Sequence, residues 1–256
     1  DHAEGNLITF VDSDDAVSLQ YLQMLYEALV TNKTQISLCG IFRGKDLLQF
    51  YQNTTDDLIQ TMVLSHKDIY FYPQYDAIPT SSSIGKLFCK RCFDNIKFPE
   101  GIAMGEDMIT MQRIFLNEKF ISCVFAPLYF YYENSNSVMH QKWNAGRLDE
   151  IEMLEQQLML LDGEDWHDVW VSRLRNYLRV LEKDWRCVQR DENITSKDRL
   201  ILKRKYHTAL KAAKKNKLIS KSELLHKYSM LCPCLAPFFA IEEKISKSVK
   251  SVCYGD

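Results

Sequence analysis

The sequence predicts an α/β fold that is followed by a mainly α-helical region. Residues 7–11 form a short apolar, β-prone run, and a helical repeat of apolar residues follows it. A second β-prone run at 35–42 completes a strand–helix–strand order, which is typical of α/β architecture. Beyond residue 144, apolar residues recur at helical spacing. We therefore predict an α/β domain over 1–144 and a helical, basic region over 145–256.

Residue spacing also predicts the elements of the first part in order. An amphipathic helix over 18–31 precedes the strand at 35–42. We expect a helix over 55–66 with Asp56 and Asp57 in its first turn, where the helix dipole favours negative charge.

A loop and three further elements should follow. Residues 70–83 are aromatic and then serine-rich, which predicts a loop, and a helix begins close to Asp107. We expect two strands after that helix, at 120–125 and 128–132, separated by Pro127.

The second part contains three apolar repeats at helical spacing, over 148–161, 169–181 and 200–210. Residues 230–241 are nearly all apolar, but this run is short and contains two prolines. We therefore expect no membrane-spanning helix there.

Charge is unevenly distributed along a chain whose net charge is −2. Residues 1–145 carry 11 basic and 17 acidic residues, and residues 146–256 carry 21 and 17. Within the second part, residues 195–256 hold 14 basic and 5 acidic residues. Binding to an anionic membrane surface would explain the basic tail. A solvent-exposed basic helix face, next to an apolar segment that packs against the rest of the protein, explains it equally well. The acidic front would repel nucleic acid, so we predict no nucleic-acid partner.

The eight cysteines lie mostly within apolar runs of a chain too long to depend on disulfides, which favours reduced thiols in a cytosolic protein. Cys89 and Cys92 have the spacing of zinc ligands. The remaining pair, Cys232 and Cys234, is distant and separated by one residue, so zinc is disfavoured.

The run at 7–11 ends in three carboxylates, those of Asp12, Asp14 and Asp15. Ligands of open α/β sheets bind at the carboxyl ends of strands. Two carboxylates separated by one residue in an extended chain can face one cation, and such oxygen ligands suit Mg²⁺ or Mn²⁺. Aspartates are equally common as turn formers and helix caps, so a structural role stays open.

A second acidic motif, Gly105-Glu106-Asp107, stands where the next helix begins. Backbone donors and the helix dipole stabilise a carboxylate in a first turn, so a structural cap explains this motif too.

Two other classes with a strand-borne Asp-x-Asp are excluded. Haloacid-dehalogenase-type phosphatases need Thr or Val at the position of Ala16 and a second aspartate at the position of Met111. An EF-hand needs a bidentate Glu where this chain has Gln23.

Taken in order, the motifs resemble those of family 2 glycosyltransferases of the GT-A fold, and especially of bacterial enzymes that build surface glycans. The resemblance covers about residues 3–140. Its motifs are Asp12-Ser13-Asp14-Asp15, Tyr21-Leu22 with Leu25-Tyr26, Lys86-Leu87-Phe88, Phe98-Pro99-Glu100-Gly101, Gly105-Glu106-Asp107 and Tyr131-Tyr132 with Ser137-Val138-Met139.

This resemblance implies a Rossmann-like, partial GT-A sheet and a metal-dependent transferase. Asp12 would lie near the ribose of a nucleotide sugar, and Asp12 and Asp14 would hold Mn²⁺ or Mg²⁺. Asp107 would be the general base that deprotonates the acceptor hydroxyl, and Glu106 would orient the acceptor. One base without a protein nucleophile implies a single displacement with inversion.

Further donor-site residues follow from the same resemblance. The loop after Tyr132 would close near the diphosphate through Ser137, with His140 as a further metal ligand, and Lys86 would belong to the donor site. The donor would be a UDP-sugar, and the acceptor a surface glycan or a lipid-linked molecule.

Similar enzymes carry a nucleotide-binding half before the Asp-x-Asp. We expect this chain to lack that half and to bind the donor weakly or not at all. An incomplete sheet would expose the edge of the strand at 6–11, so pairing with another chain into an oligomer is open. We expect a cytoplasmic location, with peripheral contact at the inner face of the membrane.

The alternative is a catalytically inactive module for interaction or membrane docking. In that case the acidic residues are caps and turns, and their substitution costs stability rather than sugar transfer.

Overall fold

The computed structural model describes residues 2–53, 59–71, 80–133, 143–144, 146–190 and 194–231. They divide into two compact units, residues 1–169 and 170–256. The predicted domain boundary at residue 144 stays a prediction.

The first unit is built on one mixed six-stranded sheet, in the order β1-β5-β3-β6-β2, with β4 also paired to β6. β3 and β6 run parallel, and the other pairs are antiparallel. The strands are β1 (Leu7–Thr9), β2 (Ala16–Val17), β3 (Ile36–Gly44), β4 (Thr61–Ser65), β5 (Lys86–Cys89) and β6 (Phe120–Tyr132).

The described part of this unit contains the helices α1 (Tyr21–Asn32), α2 (Leu47–Asn53), α3 (Glu106–Asn117) and α4 (Gly146–Leu160). Short 3₁₀ turns lie at Asp68–Tyr70, Lys90–Phe93 and Glu164–Trp166. Helix α4 packs against α3, and the Gln157 amide donates to the Met108 carbonyl at 3.0 Å. The observed α1 and α3 confirm the helices predicted from residue spacing.

The two helices α1 and α3 cover opposite faces of the sheet. Successive side chains of a strand point to opposite faces, so Cys39 and Ile41 of β3 join the α1 core while Ile36 and Leu38 join the α3 core. Helix α1 contributes the buried residues Tyr21, Leu25, Ala28 and Leu29, and α3 contributes Met111, Ile114 and Phe115.

Strand β6 corrects one prediction, because it is continuous where two strands were expected. Its pairing with β3 shifts register at Gly40, which lies opposite Pro127. A Cβ on Gly40 would stand 3.1 Å from the Ala126 carbonyl oxygen. The strand therefore accommodates Pro127 at an irregularity, as expected of proline in a sheet.

The prediction of a helix over 55–66 is wrong for the second half of that range. Thr61–Ser65 is strand β4, which pairs with β6 from Val124 to Phe120. Pairing with an open sheet edge outweighs a weak helical signal, since propensity yields to tertiary context. Residues 54–58, including Asp56 and Asp57, lie outside the described residues.

The second unit contains most of α5 (His167–Arg190), together with α6 (Ser196–Lys215) and α7 (Lys221–Leu231). Thr195 caps α6, because its hydroxyl accepts from the Asp198 N–H at 3.1 Å. Glu182 of α5 pairs with Arg186 and with Lys227 of α7. The helical prediction for this part is confirmed, and none of the described helices is long and apolar enough to cross a bilayer.

Candidate active site

The first acidic cluster forms a tight turn after β1, the acid turn (residues 12–15). Strand β1 ends at Thr9, and the Asp15 N–H donates to the Asp12 carbonyl at 3.1 Å. Asp12 and Asp14 are exposed at this turn, whereas Asp15 is half-buried. The prediction of an extended chain at the Asp-x-Asp pattern is wrong, because these residues form a turn that leaves the carboxylates of Asp12 and Asp14 exposed.

The hydroxyl of Tyr129, in β6, holds the acid turn in place with two hydrogen bonds. It donates to Asp15 Oδ2 at 2.6 Å and accepts from the Asp12 N–H at 3.1 Å. The Tyr132 N–H donates to Asp15 Oδ1 at 2.9 Å. Burial and the hydrogen bond to Asp15 raise the pKa of Tyr129, so this hydroxyl stays protonated as a donor. Sequence reasoning missed this role of Asp15, although a third carboxylate in the motif was a signal for it.

The second cluster stands at the start of α3. Gly105 precedes the helix with a φ of 92°, a conformation that favours glycine, and α3 has no side-chain N-cap bond. Asp107 instead accepts two hydrogen bonds on Oδ2 from Ser83, one from the N–H at 3.1 Å and one from the hydroxyl at 2.9 Å. Among the described residues, nothing donates to Asp107 Oδ1.

Glu106 lies beside Asp107 in the same first turn and is half-buried. Ser83 was not predicted as a site residue, because a serine run in a loop has no spacing that distinguishes one member. Its buried position under the α3 terminus is set by tertiary structure.

The charge of Asp107, in the second cluster, affects the pKa of Asp12, in the first. Partial burial raises the pKa of Asp12, and the negative charges of Asp15, Asp107 and Asp14 raise it further, in that order. Asp107 is distant from Asp12 in sequence, so only the fold brings these carboxylates within electrostatic range. The arrangement gathers negative charge around one space, and a bound cation would relieve it.

Lys86 lies at the start of β5, the strand that pairs with β1, and is fully buried. Its Nζ donates to the carbonyls of Ser82 at 2.6 Å and Ile84 at 3.0 Å. Burial lowers the pKa of Lys86 from 10.5 to about 7, against the opposing effect of Cys39, Asp107 and Cys123. A donor-site role for Lys86 stays a prediction.

The backbone of Lys86 also ties β5 to β1. Its carbonyl accepts from the Thr9 hydroxyl at 2.7 Å and from the Tyr21 hydroxyl at 3.4 Å. The Thr9 and Tyr21 hydroxyls are themselves 2.9 Å apart. This buried network fixes the end of β1, from which the acid turn emerges.

The carboxylates of Asp12 and Asp14 fit a hard divalent cation that is also coordinated by a bound ligand. Asp12 and Asp14 offer exposed carboxylate oxygens, and no hydrogen bond from a described residue occupies the Asp14 carboxylate. No group of three or more metal-binding side chains occurs among the described residues. Mg²⁺ is commonly held by one or two carboxylates plus substrate phosphates, which is the pattern that remains here. The predicted site residues Ser137 and His140 lie outside the described residues.

No protein-family model matches the sequence. Two curated proteins of Streptococcus pneumoniae serotype 4 are similar to it. Glycosyltransferase GlyA is 26% identical over 153 residues, which cover 57% of this chain and 22% of the relative. Glycosyltransferase GlyG is 24% identical over 195 residues, which cover 70% of this chain and 63% of the relative. The chain therefore spans less than two thirds of the length of each.

Solved structures share the fold. S. aureus TarS 1–349 in complex with UDP-GlcNAc aligns with a TM-score of 0.60 at 16% identity, over 96% of this chain and 69% of that one. The complex of the same TarS segment with UDP aligns with a TM-score of 0.56 at 14% identity, over 96% and 68%. These alignments confirm the predicted α/β fold.

Proposed function

We propose that this chain, which resembles bacterial surface glycosyltransferases in sequence and shares their fold, belongs to an inverting enzyme of that type. In this proposal a sugar passes from a nucleoside diphosphate to an acceptor hydroxyl, and Asp107 is the general base. The observation that supports it best is the nearness of the two clusters. Thr9, three residues before Asp12, donates to the Lys86 carbonyl. Ser83, three residues before Lys86, donates to Asp107. The negative charge of Asp107 accordingly helps to raise the pKa of Asp12. Donor-binding and proton-accepting groups must share one substrate, so they have to lie close together.

The hydrogen bonds of Asp107 suit a base. Ser83 holds Oδ2 with two donors, which orients the carboxylate and directs Oδ1 toward an incoming hydroxyl. A positioned carboxylate of this kind contributes about 10²- to 10⁴-fold to a rate. Glu106, next in the same turn, would hydrogen-bond the acceptor and orient it.

The acid turn would bind the donor. Asp12 would face the ribose, and Asp12 and Asp14 would hold Mn²⁺ or Mg²⁺, with Ser137 and His140 closing on the diphosphate. Such a cation, when bound, neutralises charge on the leaving diphosphate. We propose a UDP-sugar as donor, since TarS, whose fold this chain shares, binds UDP and UDP-GlcNAc.

The acceptor would be a cell-surface glycan or a lipid-linked molecule, used at the cytoplasmic face of the membrane. Exposed basic residues of α6 support peripheral contact with anionic lipid: Lys197, Arg204, Lys211, Lys214 and Lys215. The same observation favours the second candidate function, a non-catalytic membrane-docking module.

Asp107→Asn separates these functions. The full chain is incubated with UDP-GlcNAc at millimolar concentration, because weak donor binding is expected, together with Mn²⁺ and a bacterial cell-wall glycan preparation, and UDP release and labelled glycan are measured. We expect the variant to lose about 10²- to 10⁴-fold in rate while its melting temperature and UDP affinity stay unchanged. The anomeric configuration of the product, read by NMR, should be inverted.

Asp46→Ala is the control for a capping role. Asp46 is a true cap, because its Oδ1 accepts from the N–H groups of Leu48 at 2.9 Å and Gln49 at 3.2 Å. This variant should lose about 1 kcal/mol of stability and keep its transfer rate. If Asp107→Asn loses stability and keeps its transfer rate, as Asp46→Ala should, or if the product retains its configuration, the proposed function is wrong.

A further inference from the structure

We propose that Lys86 is a positioning residue for Asp107. In this proposal, which rests on the proposed function, the Lys86 side-chain amino group acts through the serine segment (residues 82–84) rather than by touching a substrate. The segment carries the donors that orient the Asp107 carboxylate.

The Lys86 amino group holds the serine segment at two points. Nζ donates to the carbonyl of Ser82 at 2.6 Å and to that of Ile84 at 3.0 Å. The Ser82 carbonyl belongs to the same peptide group as the Ser83 N–H, so the amino group fixes the peptide that donates to Asp107. The chain bends at Gly85, whose φ of 67° favours glycine.

Ser83 transmits that position to Asp107. Both its N–H and its hydroxyl donate to Oδ2 of Asp107, at 3.1 and 2.9 Å. A carboxylate held by two donors from one residue follows any displacement of that residue. A shift of the serine segment would therefore change the orientation of the Asp107 carboxylate and move its proton-accepting oxygen.

Lys86 also contacts β1, on the other side of the site. Its own carbonyl accepts from the Thr9 hydroxyl at 2.7 Å, and Thr9 is the last residue of β1 before the acid turn. One residue thus contacts the strand that presents Asp12 and the segment that orients Asp107. The separation of the two acidic clusters depends on both contacts.

A buried lysine is a costly residue for filling space, because burial opposes its charged form and so opposes folding. Methionine has a similar volume without that cost, so a merely space-filling role predicts that Lys86→Met is harmless. A positioning role predicts a stable protein with a misdirected base.

The experiment compares Lys86→Met with Lys90→Met in the full chain. Lys90 is exposed, and its Nζ also donates to a backbone carbonyl, that of Ala3. We expect Lys86→Met to lower kcat about 10- to 100-fold, as second-layer residues typically do, with KM for the UDP-sugar unchanged and a melting temperature no lower than that of the wild type. Lys90→Met should match the wild type. Ser83→Ala should reproduce the loss, and the double variant should lose no more than Ser83→Ala alone, because both act along one path.

A second readout needs no activity. Hydrogen exchange of the Ser83 amide should accelerate at least tenfold in Lys86→Met and stay unchanged in Lys90→Met. Unchanged exchange in Lys86→Met overturns the positioning role. A Ser83→Ala variant with the kcat of the wild type also overturns it, and this outcome can be measured even if Lys86→Met fails to fold. Accelerated exchange combined with an active Asp107→Asn variant keeps the positioning role and overturns the proposed function instead.

Discussion

At the scale of single residues, the site depends on hydroxyls that no motif identified. Tyr129 connects the sheet to the acid turn, and Ser83 connects the serine segment to Asp107. The sequence names Asp12, Asp14 and Asp107 as candidates, because their spacing and order resemble a family pattern, and their roles stay predictions. Their supporting partners could not be named in this way, since a buried tyrosine in β6 looks like any other core aromatic residue until its hydroxyl has neighbours.

Tyr129→Phe should therefore weaken the acid turn. The change removes one hydrogen bond to the Asp15 carboxylate and one from the Asp12 N–H, so we expect a loss of about 1–3 kcal/mol in the free energy of unfolding. Mn²⁺-dependent binding of UDP, measured by titration calorimetry, should fall about tenfold. Tyr26→Phe, at a half-exposed tyrosine of α1, is the control and should change neither quantity.

Lys86 should make stability rise with pH just above neutrality. Its pKa is 10.5 in the unfolded chain and about 7 in the folded one, so between these values unfolding takes up a proton. The free energy of unfolding then increases by up to about 1.4 kcal/mol per pH unit. This rise in stability ends near pH 9. There the thiols of Cys39 and Cys123 begin to lose their protons in the unfolded chain but not in the folded one, where their pKa values are about 12, and this lowers the free energy of unfolding.

Denaturant unfolding at pH 7, 8 and 9 measures this slope. Lys86→Met should abolish most of it, whereas Lys90→Met should leave it intact. His66, whose pKa burial lowers from 6.5, titrates below this pH range and does not contribute to the slope. A slope that is equal in the wild type and in Lys86→Met would show that another group titrates.

At the scale of elements, the periodic helices were predictable and the irregular strands were not. Helices α1 and α3 each bury one continuous stripe, so their apolar spacing alone identifies them. Strand β4 has three exposed residues out of five, so its sequence lacks a clear alternation, and its partner β6 determines its conformation. The continuity of β6 across Pro127 depends on Gly40 of the neighbouring strand, which no local pattern reveals.

The start of α3 offers a test at this scale. Gly105→Ala should cost about 1–3 kcal/mol of stability, because its φ of 92° strains an alanine and the new Cβ would stand 3.1 Å from the Met153 Cβ of α4. Gly101→Ala is the matched control, with a φ of 75° and no atom within 4 Å of the new Cβ. Denaturant unfolding should show a smaller loss for Gly101→Ala. Equal losses would mean that contact with α4 does not constrain the helix start.

At the scale of the whole molecule, the two units have opposite charges that nearly cancel in the total. Residues 1–169 carry 12 basic and 25 acidic residues, net −13, and residues 170–256 carry 20 and 9, net +11. The sequence indicated an acidic front and a basic tail, and the structural division strengthens the contrast. A net charge of −2 therefore conceals a unit that strongly attracts anions.

This contrast predicts charge-dependent binding to anionic membranes. The triple variant Lys211→Gln, Lys214→Gln and Lys215→Gln removes three exposed charges from α6. Each basic residue near an anionic surface adds about 1 kcal/mol, so co-sedimentation with phosphatidylcholine–phosphatidylglycerol vesicles should weaken by up to about 100-fold. Because the attraction is screened, binding of the wild type should also fall steeply between low and physiological salt.

The matched control removes the same number of charges from the acidic unit, as Lys45→Gln, Lys90→Gln and Lys97→Gln, all of them exposed positions. It should bind anionic vesicles like the wild type, and neither protein should bind vesicles of phosphatidylcholine alone. An equal loss in both triple variants would mean that net charge, and not the basic surface of α6, governs attachment. Binding that resists salt would instead assign attachment to apolar insertion, since screening leaves hydrophobic burial largely unaffected.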